Sequence, residues 1–369
     1  MNPKAATLAF VLRPSSRLLA VHDGDSNSPE RKGSGSLDIV ASVDDPRRFI
    51  KILNDPSFRL LTRLQDQLTR VTTEFWHRRG ALNLHLPITT NSISSPMGLG
   101  SDSLPVKIDL LGQQTYLADS MQFMLEYGCR LADAGAWYVM PSFRGEDADA
   151  THLSQFIHSE AEIHGTLADV KTVVEEYLVA LTRAALDEFG EEIAAVAGGT
   201  EHLEALIAAT PFPSLTLDEA VEHLGDDQAS VLHDPAGFRT ITRTGERRLM
   251  AEISPFVWLT HFDHLSVPFY QARVPGTTLA ANADLLFGIG EVVGAGERHP
   301  DGASTLEALA GHDVPGDEYS WYVAMKEETP MLTSGFGMGV ERWMMWVLNH
   351  DDIRDLQVVP RLNGHILLP

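Results

Sequence analysis

One stretch near the carboxyl terminus constrains the fold most. It reads Ser334-Gly-Phe-Gly-Met-Gly-Val-Glu-Arg-Trp-Met-Met-Trp-Val-Leu-Asn349, with glycine at the alternate positions 335, 337 and 339. Apolar residues then recur at positions 340, 343, 344, 347 and 348, which is the spacing of one buried helix face. The stretch therefore predicts a strand whose glycines let other groups approach its backbone closely, followed directly by a helix.

Arg342 stands in the first turn of that predicted helix. A cation is disfavoured there, because the amino-terminal end of the helix dipole is positive. A residue placed against its local preference often has a ligand to bind, so Arg342 is a candidate for contact with an anion or a nucleotide. An arginine on the surface of an ordinary strand–turn–helix unit explains this stretch equally well when it is taken alone.

The composition limits the class of protein. The chain has 369 residues, 44% of them hydrophobic, which predicts one large or two modest globular domains. Its net charge of −23 repels phosphate backbones, so broad nucleic-acid binding is disfavoured. The only cysteine, Cys129, excludes an intrachain disulfide and favours a reducing, cytoplasmic location. No apolar run approaches the length of a membrane span.

The predicted elements mix long helices with runs of strands. We expect residues 1–54 to form an N-terminal extension with a mobile loop between two short strands, Ala6–Leu12 and Leu37–Val43, and residues 55–369 to form one domain with a mostly helical insertion around 190–250. Long helices are predicted for Ser57–Arg79 and from Leu167 to Ala185, and strands for Leu82–Pro87, Trp137–Phe143, Leu153–Ile163, Phe238–Ile253, Val267–Arg273 and Leu285–Val293. Without regular alternation of the two, this order predicts an α+β fold, an antiparallel sheet flanked by helices.

Four residues with binding chemistry lie around one predicted hairpin. Arg144 and Glu146 follow a strand, and His152 and Phe156 begin the next. If the two strands pair, these side chains converge at one end of the sheet. A guanidinium binds phosphate with a planar fork, a carboxylate accepts a hydrogen bond from an exocyclic amine, and an aromatic ring stacks on a base. A charged, solvated hairpin tip is the alternative.

A second group of charged residues follows a strand-like stretch. Asp284 and Glu291 lie seven apart, and Mg²⁺ often binds through one or two carboxylates together with substrate phosphates. Arg298, seven residues further, would bind an anionic or amide group. No Walker loop, dinucleotide fingerprint or nucleophile elbow occurs where its context requires it. Arginines and acids without a nucleophile suit phosphoryl or nucleotidyl transfer.

Three separated segments resemble, in order, the motifs of class II aminoacyl-tRNA synthetases. Ser57–Pro87 is similar to motif 1, the segment from Ser142 to Glu162 to motif 2, and Gly335–Arg342 to motif 3. The segments 268–270, 284–298 and 353–361 resemble the aspartyl/asparaginyl branch and the archaeal asparagine synthetase that shares its catalytic core. The resemblance covers roughly residues 55–369, and ordered motifs make it specific. It implies a class II synthetase-type antiparallel sheet.

The resemblance also implies roles for individual residues. Arg144 and Arg342 would be catalytic. The residues implied in ATP binding are Arg144, Glu146, His152, Phe156, Glu291 and Arg342; those in substrate binding are Ser120, Gln122, Glu126, Glu160 and Arg298; those in Mg²⁺ binding are Asp284 and Glu291. The implied cofactors are ATP and Mg²⁺, and the motif 1 helix would pack against its copy in a homodimer.

Four departures from the family pattern bear on function. The residues before Asp55 are too few for an anticodon-binding barrel of ordinary domain size, which, with the acidic charge, disfavours tRNA as a partner. Leu125 stands where aspartate-specific members have lysine, and a pair of Glu126 with Arg298 would suit a neutral amide. In the third departure, Met97 or Gly98 stands where family members have a glutamate that binds the α-amino group. In the fourth, Thr151 replaces a common basic residue of motif 2 and Gln155 a common acidic residue.

These features predict an ATP-dependent, AMP-forming ligase. It would activate the carboxylate of an asparagine- or aspartate-like amino acid as an acyl-adenylate and pass the acyl group to ammonia or another amine. One alternative is asparaginyl- or aspartyl-tRNA synthetase activity without an anticodon domain. Another is a catalytically silent paralogue that binds an amino acid or nucleotide as a regulator. No membrane partner is expected.

Overall fold

The computed structural model describes residues 45–94, 104–225 and 227–364. The predicted strands Ala6–Leu12 and Leu37–Val43, the loop between them, and the positions Met97 and Gly98 lie outside these residues. Within them, no helix is long and apolar enough to cross a membrane.

The helices and strands have the following bounds. The α-helices are α1 (Arg48–Lys51), α2 (Pro56–Arg78), α3 (Gln122–Cys129), α4 (Leu167–Ala197), α5 (Glu201–Ala209), α6 (Leu217–Leu224), α7 (Arg243–Glu252), α8 (Gly302–Gly311), α9 (Ser320–Glu328) and α10 (Val340–Val347). The strands are β1 (Leu82–Asn83), β2 (Thr89–Thr90), β3 (Val106–Leu110), β4 (Gln113–Leu117), β5 (Ala136–Phe143), β6 (Gln155–His164), β7 (Ser214–Thr216), β8 (Val231–His233), β9 (Arg239–Ile241), β10 (Val257–Thr260), β11 (Asn282–Phe287), β12 (Gly290–Glu297) and β13 (Thr333–Gly339).

An eight-stranded sheet organises the described part of the chain. Its strand order is β1-β5-β6-β13-β12-β11-β10-β7. The six central strands pair antiparallel, and the two edge strands, β1 and β7, pair parallel to their neighbours. The helices α2, α4 and α10 pack on this sheet. The predicted α+β fold, an antiparallel sheet flanked by helices, is confirmed.

Strand β13 shows why one face of the sheet is covered and the other open. Successive side chains of a strand point to opposite faces. Phe336 points into the core, where its ring centroid lies 6.1 Å from that of Trp76 on α2 and 5.9 Å from that of Tyr177 on α4. The glycines that alternate with it, Gly335 and Gly337, therefore belong to the face away from these helices.

The long helix α2 begins and ends within one residue of the predicted bounds, Ser57–Arg79. The Asp55 carboxylate accepts a hydrogen bond from the Ser57 backbone N–H at 2.9 Å, and Pro56 occupies the first helical position. Gly80, with φ of +76°, lies in the left-handed region where the chain leaves the helix.

Four predicted strand segments differ in the structure. Of Leu82–Pro87, only Leu82–Asn83 pairs with β5. Most of Phe238–Ile253 is the helix α7, because Thr242 caps its first turn and Gly245 and Leu249, four residues apart, share a buried face. Val267–Arg273 forms only isolated bridges, since Pro268 lacks a backbone N–H for a ladder. Leu285–Val293 is a hairpin and not one strand: Gly288 and Gly290 both have positive φ and turn β11 into β12.

Candidate active site

Glycines of two neighbouring strands form the floor of the open face. In the antiparallel register, Gly294 of β12 pairs with Gly337 of β13, and Gly296 pairs with Gly335. Directly paired residues of an antiparallel ladder share one face of the sheet. These four positions therefore make one patch of the sheet without side chains.

Acidic residues of the next strands flank this glycine floor. Glu160 of β6 pairs with Gly337 and Glu162 with Gly335, while Asp284 of β11 pairs with Gly294 on the other side. The carboxylates thus lean over the floor from both edges.

The glycines are required by what occupies their side-chain space. A Cβ atom at Gly335 would lie 1.8 Å from Glu162 Oε2, and one at Gly337 would lie 3.1 Å from Glu160 Oε1. At Gly339 a Cβ atom would lie 3.6 Å from the aliphatic stem of Arg342, which is an ordinary van der Waals contact. Glycine at positions 335 and 337 therefore makes room for the carboxylates of Glu162 and Glu160.

A first cavity lies at the start of α10. It is lined by five of the residues predicted to bind nucleotide, Arg144, His152, Phe156, Glu291 and Arg342. The Arg144 guanidinium lies over the Phe156 ring, 5.4 Å from its centroid. Arg342 Nη1 donates a hydrogen bond to the Glu291 carbonyl oxygen at 2.5 Å. The cavity joins an aromatic face to two guanidinium groups, which suits a base linked to a phosphate.

Glu146, also predicted to bind ATP, does not line this cavity. Its Oε1 accepts a hydrogen bond from the Leu104 backbone N–H at 2.7 Å. Its Oε2 is buried and has no hydrogen-bond partner among the described residues. A buried acceptor without a partner is costly, and a ligand donor would satisfy it.

A second cavity adjoins the first, sharing Arg144 and Glu291 with it. Four of the residues implied in substrate binding line this cavity. They are Ser120, Gln122, Glu160 and Arg298. Of the residues implied in substrate binding, these four are brought together.

Glu160 is the anionic group of this second cavity. Its carboxylate accepts a hydrogen bond from the Ser120 hydroxyl at 2.6 Å and another from the Tyr138 hydroxyl, and it lies 2.8 Å from His158 Nδ1. Burial alone would raise the pKa of Glu160, but His158 and these hydrogen bonds outweigh it and the pKa is lowered. The site therefore presents a stable negative charge, which suits an ammonium group.

Arg298 is almost completely buried at the base of the second cavity. Its Nε lies 3.1 Å from Glu162 Oε1, its Nη2 lies 3.1 Å from Glu162 Oε2, and its Nη1 donates to Gln271 Oε1 at 3.1 Å. Burial opposes the charge, but the Glu162 carboxylate outweighs burial, so the pKa of Arg298 is raised. The guanidinium is charged, and its charge is balanced by one carboxylate.

Glu126, predicted to pair with Arg298 around the substrate, lies elsewhere. It does not line the second cavity. It is fully buried, with its carboxylate 2.6 Å from Lys326 Nζ and accepting a hydrogen bond from the Tyr322 hydroxyl at 2.5 Å. An unpaired buried charge is costly, so the lysine of α9 determines where this side chain points. Glu162 takes the place beside Arg298 that was predicted for Glu126.

Sequence reasoning missed Glu162 and Gln271 as partners of Arg298. Glu162 could have been found from the sequence, because it lies two residues after Glu160 on one strand and so shares its face of the sheet. Gln271 carried none, since it reaches Arg298 from a segment without a regular ladder.

Asp284 and Glu291 fit a divalent cation that is shared with phosphate oxygens. A Cβ atom at Gly294 would lie 3.7 Å from Asp284 Oδ1 and 3.0 Å from Glu291 Oε1, so the two carboxylates approach one point. Burial and the Glu291 charge raise the pKa of Asp284. Two carboxylates suit Mg²⁺ that is otherwise bound by substrate. Among the described residues, no group of three or more His, Cys, Asp or Glu side chains is arranged to hold a metal.

Glu246 of α7 brings a further carboxyl to this region. Burial, and then the charge of Glu291, raise its pKa to about 7. Sequence reasoning missed it, because the segment was predicted as strands.

Comparison with known proteins gives one family. The model of the class II tRNA synthetases (D, K and N) matches residues 43–363. The asparagine–tRNA ligase of Xanthomonas euvesicatoria pv. vesicatoria is 29% identical over 389 residues, covering 94% of this chain and 83% of that one. The asparagine–tRNA ligase of Psychromonas ingrahamii is 26% identical over 333 residues, covering 83% and 71%.

Solved structures share the fold. The asparaginyl-tRNA synthetase of Pyrococcus horikoshii, complexed with asparaginyl-adenylate, is similar with a TM-score of 0.77 and 24% identity, over 88% of this chain and 73% of that one. The asparaginyl-tRNA synthetase of Entamoeba histolytica in complex with asparaginyl-adenylate is similar with a TM-score of 0.76 and 22% identity, over 89% and 74%.

Proposed function

Because this chain belongs to the class II tRNA synthetase family, we propose that it activates asparagine as an aminoacyl-adenylate and transfers the asparaginyl group to tRNA. One observation carries the proposal: a cavity suited to a nucleotide and a cavity suited to an amino acid meet at Arg144 and Glu291. A reaction between a nucleotide and an amino acid needs this juxtaposition.

In the first step, an oxygen of the asparagine carboxylate attacks the α-phosphorus of ATP. The bond from that phosphorus to the bridging oxygen of the β-phosphate breaks, and pyrophosphate leaves with the electron pair. Arg144 lines both cavities, so its guanidinium neutralises the carboxylate and the α-phosphate together. Phe156 and Arg342, which line the first cavity, hold the adenine between them. Glu146 lies outside the lining of this cavity, and its unpartnered Oε2 would accept from the adenine amine once the ligand is bound.

Asp284 and Glu291 are the residues that would hold Mg²⁺, which neutralises phosphate charge and orients the phosphates when it is bound. The convergence of these two carboxylates over Gly294 supports this assignment, as does the raised pKa of Asp284, which follows from burial and from repulsion by Glu291.

The second cavity orients asparagine by its two ends. Glu160 binds the α-ammonium group, with Ser120 and Gln122 beside it. Arg298 donates to the side-chain carbonyl oxygen, and Gln271 Oε1 is placed to accept from the amide NH₂. Since Glu162 already balances the charge of Arg298, the base of the cavity attracts a neutral amide without favouring a carboxylate.

The acceptor is tested by following the asparaginyl group. Purified protein with ATP, Mg²⁺ and labelled asparagine should produce asparaginyl-tRNA from total tRNA, and binding of tRNA should weaken as salt rises. Adenylate formation without labelled tRNA at any salt concentration would contradict the transfer step.

A second candidate acceptor is ammonia or another amine, which the sequence alone favoured. Its support is the acidic balance of the chain, with a net charge of −23 that opposes tRNA and attracts cations. Mass spectrometry of the same reactions, run with ammonium and without tRNA, separates the two: an ATP-dependent amide product supports this candidate, and only asparaginyl-tRNA supports the first.

We also propose that the chain acts as a homodimer through α2. Its support is the position of β1, which follows α2 at the edge of the eight-stranded sheet and has a strand partner on one side only among the described residues. Light scattering at micromolar protein should give twice the chain mass, and a monomer would contradict it.

A further inference from the structure

A third cavity opens beside the nucleotide cavity, against the start of α7. It shares His152, Glu291 and Arg342 with the nucleotide cavity. Its wall is completed by two residues of α7, Arg243 and Glu246. Arg243 is not used in any step described above.

Arg243 reaches out of α7 to the loop before β6. Its Nη1 donates a hydrogen bond to the Thr151 hydroxyl at 2.9 Å, and its Nη2 lies 3.1 Å from His152 Nε2. Of the carboxylates in the described part of the chain, none forms an ion pair with Arg243. The guanidinium is therefore held in place by uncharged groups. Glu246 of the same helix is near enough to interact with its charge, but no carboxylate of the described residues is in ion-pair contact with it.

The connection of the three cavities indicates what the third one receives. Glu291 lines all three. With adenosine in the first and the amino acid in the second, the α-phosphate lies where these two meet. The leaving group of an in-line displacement departs on the side opposite the nucleophile. The third cavity is the one that neither adenosine nor the amino acid fills, so it is left for the β- and γ-phosphates. Two arginines, Arg243 and Arg342, line it.

We propose that Arg243 binds the β- and γ-phosphates of ATP and the pyrophosphate that leaves. This inference rests on the proposed function and adds a residue of α7 to it. As the α-phosphorus forms its bond to the asparagine carboxylate oxygen, the bridging oxygen takes the electron pair of the breaking bond, and pyrophosphate gains one unit of negative charge. Arg243 balances that charge without giving up an existing ion pair.

The test compares Arg243→Ala with Arg247→Ala. Arg247 is exposed on the same helix and does not line the third cavity, so its removal changes the net charge equally. Calorimetry measures the Kd of inorganic pyrophosphate and of AMP for the full chain with Mg²⁺. We expect Arg243→Ala to raise the Kd of pyrophosphate at least tenfold and the Kd of AMP less than twofold. We expect Arg247→Ala to change each of these Kd values less than twofold.

In pyrophosphate exchange, Arg243→Ala should raise the KM values of ATP and pyrophosphate and leave the KM of asparagine unchanged. Equal weakening of AMP and pyrophosphate would show that Arg243 only supports the structure of the site and would overturn the inference, as would unchanged pyrophosphate binding. If the unmodified chain shows no exchange while Arg243→Ala still loses pyrophosphate binding, the proposed function fails and the phosphate site stands.

Discussion

Gly335 of β13 lies directly opposite Glu162 of β6, and a Cβ atom at Gly335 would lie 1.8 Å from the Glu162 carboxylate oxygen Oε2. The same carboxylate holds Arg298 at the base of the amino-acid cavity. The Glu162–Arg298 ion pair can therefore form in the site only because residue 335 has no side chain.

The substitution Gly335→Ala should move Glu162 and disturb Arg298. The added methyl group also meets the Ala161 carbonyl oxygen at 2.7 Å, a backbone atom that cannot easily shift. We expect the KM of asparagine to rise at least tenfold, with the KM of ATP changed less. Gly316→Ala is the control, because no atom lies within 4 Å of a Cβ there. Equal kinetics for the two variants would contradict this account.

Replacing Glu162 with glutamine should shift the preference from asparagine towards aspartate. The variant leaves the Arg298 charge unbalanced in a buried cavity, where it attracts a carboxylate. The ratio of kcat/KM for asparagine over aspartate should fall at least tenfold. Glu126→Gln, which removes a carboxylate outside the cavity, should leave that ratio unchanged. If Glu126→Gln changes the ratio and Glu162→Gln does not, the original prediction for Glu126 is right.

The Glu126–Lys326 pair should matter for stability. Both side chains are fully buried, and removing one partner leaves an uncompensated charge. We expect Lys326→Met to lower the free energy of unfolding by about 3–5 kcal/mol. The double variant Lys326→Met with Glu126→Gln should recover part of this loss. Urea denaturation of the unmodified chain, the two single variants and the double variant measures the coupling, and additive losses would contradict it.

The contribution of two buried histidines to stability should fall as the pH falls from about 7.5 to 5, in the direction opposite to that of Glu246, whose pKa is raised to about 7. Burial, followed by the neighbouring His264, lowers the pKa of His299 to about 4 and that of His312 to about 4. The unfolded chain therefore binds protons that the folded chain excludes. Between pH 7.5 and pH 5, the contribution of each histidine to the free energy of unfolding falls by on the order of 2 kcal/mol. Between pH 7.5 and pH 5, His312→Asn should lose on the order of 2 kcal/mol less stability to urea than the unmodified chain does, whereas the exposed His85→Asn should behave like the unmodified chain. An unchanged dependence in His312→Asn would exclude this origin.

Local patterns predicted the elements that local chemistry determines. The long helix α2 and the strand–helix unit from β13 into α10 both follow from capping residues, glycine positions and periodicity. The prediction of strands for residues 238–253 was wrong, because Thr242 caps a helix there despite the strand-like composition.

The site was predictable where the sheet register brings motifs together. Arg144, Phe156 and Arg342 line one cavity as expected, since β6 pairs with both β5 and β13. The placement of Glu126 was not predictable, because its partner Lys326 lies two hundred residues away on a helix without a motif. Arg243 was missed for the same reason.

Pyrophosphate exchange tests the central claim most directly. The chain is incubated with ATP, Mg²⁺, labelled pyrophosphate and each amino acid in turn, and label in ATP is counted. The account predicts exchange with asparagine, at least tenfold weaker exchange with aspartate, and loss of exchange in Arg144→Ala. Absence of amino-acid-dependent exchange with every amino acid would contradict it.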